Sequence, residues 1–186
     1  MRDLDKKELY WFPMRVTYGR EIQIHHFLDK QGIENFLPVR IQLVLDGNTL
    51  TRKQTPSISN LIFIHDTMDN ILRLKHSTKE GEILRFTTKH STEVSEESEI
   101  LTIPNRQMNS FMLVCRSKSD DYEFLTTSEL QGKAHASVKI LSGIFKGVEG
   151  VIKRVHNSKH VIVELPLIGG VCINFVAKAN MVVNRL

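Results

Sequence analysis

The 186-residue sequence has only two cysteines, one tryptophan, and no uninterrupted apolar run longer than five residues. A helix that crosses a bilayer needs roughly 20 apolar residues, so no membrane association is expected. Cys115 and Cys172 lie far apart and each sits among apolar neighbours. That placement suits buried thiols in a reducing compartment better than a disulfide framework or a metal site. Met1 to Glu8 is charged and has no apolar centre, so it does not read as a secretory signal. With 41% hydrophobic and 25% charged residues, the composition predicts a soluble, cytoplasmic, globular chain of one medium domain or two small ones.

The formal net charge of +4 is unevenly distributed. Residues 1–118 carry 17 basic and 15 acidic side chains, residues 119–131 carry none and 4, and residues 132–186 carry 8 and 2. A balanced body, an acidic stretch and a basic C-terminal third predict two domains, 1–118 and 132–186, with 119–131 as an acidic linker.

In the first segment, Tyr10 to Val16 predicts a strand with Pro13 as an irregularity. Arg20 to Gln31 places Ile22, Ile24, Phe27 and Leu28 on one helical stripe, with Gly32 as its stop. Ile33 to Val39 predicts a second strand. Asp46-Gly47-Asn48 is a hairpin turn signal, with Arg52-Lys53 beyond it. Asn60 to Ile64 predicts a central strand, Asp66-Thr67 a cap for a helix running to about Leu74, and Ile83 to Phe86 a short strand. A loop is expected over His90 to Glu99, then a helix from Arg106 to Cys115 carrying Met108, Phe111, Met112 and Cys115 on one face.

The last third changes period. His135–Leu141, Val148–Val155, Val161–Leu165, Cys172–Val176 and Met181–Asn184 are short apolar runs separated by turn signals, which predicts a small five-stranded β-barrel. Within it, Val138 to Val155 reads as a strand, a tight loop with Gly143 and Gly147 at positions tolerating positive φ, Phe145 as an inward plug, and Gly150 opening a second strand.

That segment resembles a KOW motif. Trp11 followed by Gly19 and an amphipathic helix, Leu37-Pro38, Arg52-Lys53 before Asn60-Leu61-Ile62-Phe63-Ile64, and Ile103-Pro104 before a helix together resemble the NGN domain of NusG-type transcription elongation factors. The resemblance spans roughly Leu9 to Leu186. Arg15 to Glu21, Phe145 to Gly150 and Ile103-Pro104 with Met108 and Phe111 look most like the UpxY-type antiterminators of capsular polysaccharide operons. Where the family has Pro-Gly-Tyr or Pro-Asn-Tyr before the central strand, this chain has Ser59-Asn60-Leu61.

The resemblance implies an α+β fold, an NGN sandwich of antiparallel sheet and helices followed by an SH3-like KOW barrel. It implies a monomeric, non-enzymatic factor that suppresses pausing or termination without a cofactor. The polymerase clamp helices would meet an apolar patch of Arg15, Ile58, Leu61, Phe63, Met108 and Phe111, with Ile58, Leu61 and Met108 expected at the surface. Nontemplate DNA or nascent RNA, or else the facing polymerase lobe, would meet Thr17, Tyr18, Arg20, Lys30, Arg73 and Lys75. Leu167 and Ile168 would hold a ribosomal protein or the termination factor Rho. The alternative is an RNA- or ribosome-binding KOW module, supported by the +6 balance of residues 132–186.

Other chemistry is excluded on spacing. His25 and His26 are adjacent, so on a helix they point about 100° apart, with no further ligands to complete a metal site. Gly143 to Gly150 lacks the Gly-Lys-Ser/Thr ending of a phosphate loop. Glu93, Glu96, Glu97 and Glu99 lie in a Ser/Glu-rich stretch with no apolar neighbours to raise a pKa.

Overall fold

A computed structural model of the chain describes residues 5–47, 49–89, 99–117, 121–132 and 136–185. It is a mixed α/β molecule that divides into two compact units, the first ending at Ile103 and the second beginning at Pro104.

In chain order, the first unit contains β1 (Leu9–Val16), α1 (Glu21–Lys30), β2 (Asn35–Phe36), β3 (Val39–Asp46), β4 (Thr49–Pro56), β5 (Leu61–Thr67), α2 (Met68–Ser77), α3 (Lys79–Glu82), β6 (Leu84–Phe86), β7 (Thr88–Lys89) and β8 (Glu99–Ile100). Four strands form an antiparallel sheet in the order β2-β5-β1-β6. Period-2 alternation sends Phe12, Met14, Ile62 and Ile64 to one face, where Ile24 and Leu28 of α1 and Met68 and Ile71 of α2 complete a buried core. The opposite face carries Trp11, Leu61 and Phe63, also buried. There the Trp11 ring stacks on His65 with centroids 4.7 Å apart.

Local chemistry sets the element ends. Tyr18 and Gly19 both take positive φ, +67° and +62°, which turns the chain from β1 into α1. Gly32, at φ +69°, ends α1 as its spacing predicts. The Thr67 hydroxyl accepts the Asn70 N–H at 3.2 Å and caps α2; α2 then runs to Ser77, past the expected end near Leu74. The predicted strand over Ile33–Val39 is reduced to Asn35–Phe36, because Pro38 has no N–H for a ladder and Val39 begins a different sheet.

That different sheet is a ribbon. β3 and β4 pair along all eight residues, from Val39↔Pro56 to Asp46↔Thr49, and join no other strand among the described residues. Its turn falls at the predicted Asp46-Gly47-Asn48, of which Asn48 lies outside the described residues, as do His90 to Ser98 of the expected loop.

The second unit contains α4 (Asn105–Cys115), β9 (Tyr122–Leu125), β10 (Ala136–Ile140), β11 (Glu149–Val155), β12 (Ser158–Leu165), β13 (Gly169–Ile173) and β14 (Met181–Arg185). Four of the five expected strands are present, the one expected over Cys172–Val176 is shifted back to Gly169–Ile173 so that the Gly169-Gly170 turn signal falls inside it, and the sheet has six strands, in the order β14-β10-β11-β12-β13-β9. The sixth, β9, comes from the stretch expected to be a linker: Tyr122 and Leu125 are buried, and β9 pairs with β13 from Gly170↔Leu125 to Ile173↔Tyr122. The acidic side chains around it had masked an apolar strand. In place of the expected closed barrel, β9 and β14 are edges that do not pair with each other among the described residues.

α4 packs on this sheet. Phe111 meets Phe124 edge-to-face at 6.2 Å, the Ser110 hydroxyl accepts the Glu149 N–H at 3.0 Å, Arg106 ion-pairs with Glu149, and the Tyr122 hydroxyl donates to the Cys115 carbonyl at 3.2 Å.

Candidate partner-binding surfaces

The turn from β1 into α1 is the most distinctive exposed corner of the first unit. Tyr18 is 82% exposed in a left-handed conformation that bulky residues avoid. The Arg20 guanidinium sits 5.4 Å from its ring centroid, a cation–π contact. The corner is braced from behind. Glu21, a carboxylate only 4% exposed, accepts the Asn60 N–H at 2.5 Å, and the Asn60 carbonyl accepts the Val16 N–H at 3.0 Å. Sequence reading missed Glu21, whose only signal was a carboxylate in the first helical turn after Gly19.

The structure brings Thr17, Tyr18 and Arg20 together and separates the other nucleic-acid candidates from them. Lys30 is exposed at the far end of α1, about 15 Å away along a ten-residue helix. Arg73 is exposed on α2 and donates to the Asn70 side chain. Lys75 is turned inward: its ammonium donates to the Leu84 carbonyl and lies 5.5 Å from the Phe86 ring centroid. Burial, then the charge of Arg85, lowers its pKa. That cation serves the fold rather than the surface.

Of the expected clamp-binding patch, Arg15 is exposed and Ile58 half-buried. Leu61 is 1% exposed, and Phe63, Met108 and Phe111 are fully buried. The expectation that Leu61 and Met108 stand at the surface is therefore corrected. Leu61 faces the side of the sheet that also buries Trp11 and Phe63, and the α4 face bearing Phe111 packs toward β9. Arg85, unmarked in the sequence, is exposed directly opposite Arg15 across β1 and β6. Its guanidinium donates to the Glu82 and Leu84 carbonyls.

In the second unit, Leu167 is 53% exposed at φ +60° and Ile168 is half-buried. Two more exposed apolar side chains lie elsewhere: Ile144 is 68% exposed and Phe175 79%. Ile144 and Phe175 flank a cavity of about 350 Å³ that also involves Ile140, Phe145 and Val176 but neither Leu167 nor Ile168. Ile144 sat inside a recognised motif and Phe175 at a strand end, so neither stood out as a tip.

Burial pushes the Cys115 thiol up, and pushes the Cys172 thiol up to about 12. Neither has the lowered pKa of a nucleophilic cysteine. The His25 Nδ1 is 2.6 Å from Asn35 Oδ1, and its Nε2 is 3.6 Å from Asp29. Among the described residues no three His, Cys, Asp or Glu side chains converge on a possible metal position, and no helix is long and apolar enough to cross a membrane. Glu93, Glu96 and Glu97 lie outside the described residues; Glu99 is in β8.

No protein-family model and no curated protein matches the chain. A solved structure described as "Domain interaction in Thermotoga maritima NusG" is similar to it with a TM-score of 0.40 and 14% identity, over 96% of this chain and 98% of the other.

Proposed function

We propose that this chain is a NusG-like, non-enzymatic transcription elongation and antitermination factor of the cytoplasm, closest to the UpxY type. In this reading it binds RNA polymerase through its NGN-like residues and suppresses pausing or termination at capsular polysaccharide-type operons. The observation that carries the reading is the Val138–Val155 hairpin. Gly143 and Gly147 take φ +83° and +93°, and Phe145 is 4% exposed. A Cβ on Gly150 would lie 2.4 Å from the Ile162 carbonyl oxygen. These features support the KOW-like reading of the segment.

In this reading the clamp-helix patch is closed. Phe111, packed on Phe124, reaches a partner only when α4 parts from the sheet, so the apparent affinity is reduced by the fraction of molecules that are open. The double variant Ser110→Ala/Glu149→Ala removes two of the polar ties to α4, the Ser110 hydrogen bond and the Arg106 ion pair. It should bind bacterial core RNA polymerase several-fold more tightly than the parent chain, and Arg15→Glu, at an exposed position, about tenfold more weakly. Titration of labelled chain against core polymerase reads both. Unchanged affinity in the two variants removes the proposed patch, and absence of binding in all three removes the function. The Tyr18–Arg20 corner is the proposed nontemplate-DNA contact, through base stacking and phosphate pairing. The exposed Ile144, Phe175 and Leu167 suit a protein partner of the second unit, such as a ribosomal protein or Rho. The RNA- or ribosome-binding alternative instead requires salt-sensitive RNA binding by the full chain that Arg15→Glu leaves intact.

A further inference from the structure

Residues directly opposite each other across the β3–β4 ribbon share a face, so Ile41, Leu43, Leu45, Leu50, Arg52 and Gln54 lie on one side. The other side is polar apart from Val44, with Arg40, Gln42, Asp46 and Lys53, and suits water. On the first side Ile41 and Leu43 are each 62% exposed, Leu45 68% and Leu50 60%. Exposed apolar side chains gathered on one face mark a contact site. A strand added at either edge would widen the ribbon and leave this face as bare as before. Covering it takes an element that lies across the face, and two features specify that element. The first is width: two strands stand about 4.8 Å apart, so one helix, about 10 Å in diameter, spans the pair. The first unit covers its own sheet in this way, packing Phe12, Met14, Ile62 and Ile64 with Ile24 and Leu28 of α1. The second is charge. Arg52 is exposed on the β4 flank of the face, opposite Leu43, and makes no hydrogen bond or ion pair among the described residues. No acidic side chain shares its face, since Asp46 lies on the other.

We propose that the apolar face of the ribbon is a docking surface for an amphipathic helix of a protein partner, one whose apolar stripe lies along Ile41, Leu43, Leu45 and Leu50 and whose flank carries a carboxylate for Arg52. Eight strand residues extend about 27 Å, the length of about 18 helical residues at 1.5 Å each. The stripe on such a helix repeats at i, i+3, i+4 and i+7. The leucines and Ile41 supply the contact area, and the ion pair decides which flank of the helix turns toward β4. None of these residues belongs to the set expected to meet the clamp helices.

Three synthetic peptides of about 18 residues, titrated by fluorescence anisotropy against the full chain, test this surface. The first has a leucine stripe at helical spacing and a glutamate beside the centre of the stripe. The second has lysine in place of that glutamate. The third has the composition of the first in alternating order, the pattern of a strand. The glutamate peptide should bind about fivefold more tightly than the lysine peptide. Arg52→Glu should reverse that order, which a loss of packing alone would not do. Leu43→Asp puts a charge in the middle of the face and should weaken both helical peptides at least about tenfold. Both positions are exposed, and circular dichroism checks that each variant folds. The proposal is overturned by a glutamate peptide that does not bind up to about 1 mM, the weakest association read as specific here. Equal affinities for glutamate and lysine, an order that survives Arg52→Glu, or tighter binding of the alternating peptide overturn it too. So does a parent chain that self-associates in sedimentation velocity and becomes monomeric on Leu43→Asp, which would give the face to a second copy.

Discussion

The chain contains two hairpins built to nearly the same plan. β3–β4 and β11–β12 both turn over two residues, between Asp46 and Thr49 and between Val155 and Ser158, and both have strands of seven or eight residues. In β11–β12 the turn residues His156 and Asn157 take φ +47° and +65°, a pair of left-handed values suited to the strand twist. The hairpins differ in their neighbours. β11–β12 lies between β10 and β13, and Ile162 and Val163 are 0% and 1% exposed; among the described residues β3–β4 joins no other strand, and Leu43 is 62% exposed. The lesson is that a hairpin's local chemistry fixes its turn and register, while its stability comes from the strands on either side.

The sharpest way to break this contrast is at Gly150. A Cβ there would sit 2.4 Å from the backbone carbonyl oxygen of Ile162, and backbone cannot give way as a side chain can. Gly150→Val should cost at least about 3 kcal/mol and unfold the second unit first, seen as a separate early transition in urea. Next is Ile162→Ala, which opens a cavity at a fully buried site and should cost about 2 to 5 kcal/mol.

An intermediate effect comes from pH. Burial raises Cys172 to about 12 and Tyr122 to about 12. In the unfolded chain these groups ionise near 9 and 10, so above pH 9 the folded state holds more protons and stability falls as pH rises. Melting of the second unit should drop between about pH 9 and 11, and Cys172→Ala should flatten that dependence. The smallest effect belongs to the ribbon. Leu43→Ala should change monomer stability by less than about 0.5 kcal/mol, measured in dilute solution. Equal losses for Leu43→Ala and Ile162→Ala would erase the distinction between the two hairpins.

The same division explains what the sequence made legible. Gly32 ending α1, Thr67 capping α2, and Gly143, Gly147 and Phe145 shaping the β10–β11 loop are local signals that act within a few residues. Features set by distant residues were not legible. Leu61 and Met108 read as surface apolar residues because the chain alone does not tell which face of a strand or helix is covered. Arg85 became visible only once register put it opposite Arg15. Tyr122 and Leu125 were hidden by the acidic side chains beside them. Lys75 read as a surface cation because nothing in its neighbourhood in sequence announces the Leu84 carbonyl. In the candidate site, the corner of Thr17, Tyr18 and Arg20 was legible as a group, and its brace, Glu21, was not.

Tyr18 has an evolutionary consequence. A left-handed backbone suits glycine or asparagine better than tyrosine, so Tyr18→Gly relaxes the main chain while deleting the exposed ring and its contact with Arg20. Selection for thermal resistance alone would drift away from tyrosine at this position. A lineage that keeps an aromatic residue here does so against that drift, which makes the identity of residue 18 across relatives a record of whether the corner is in use.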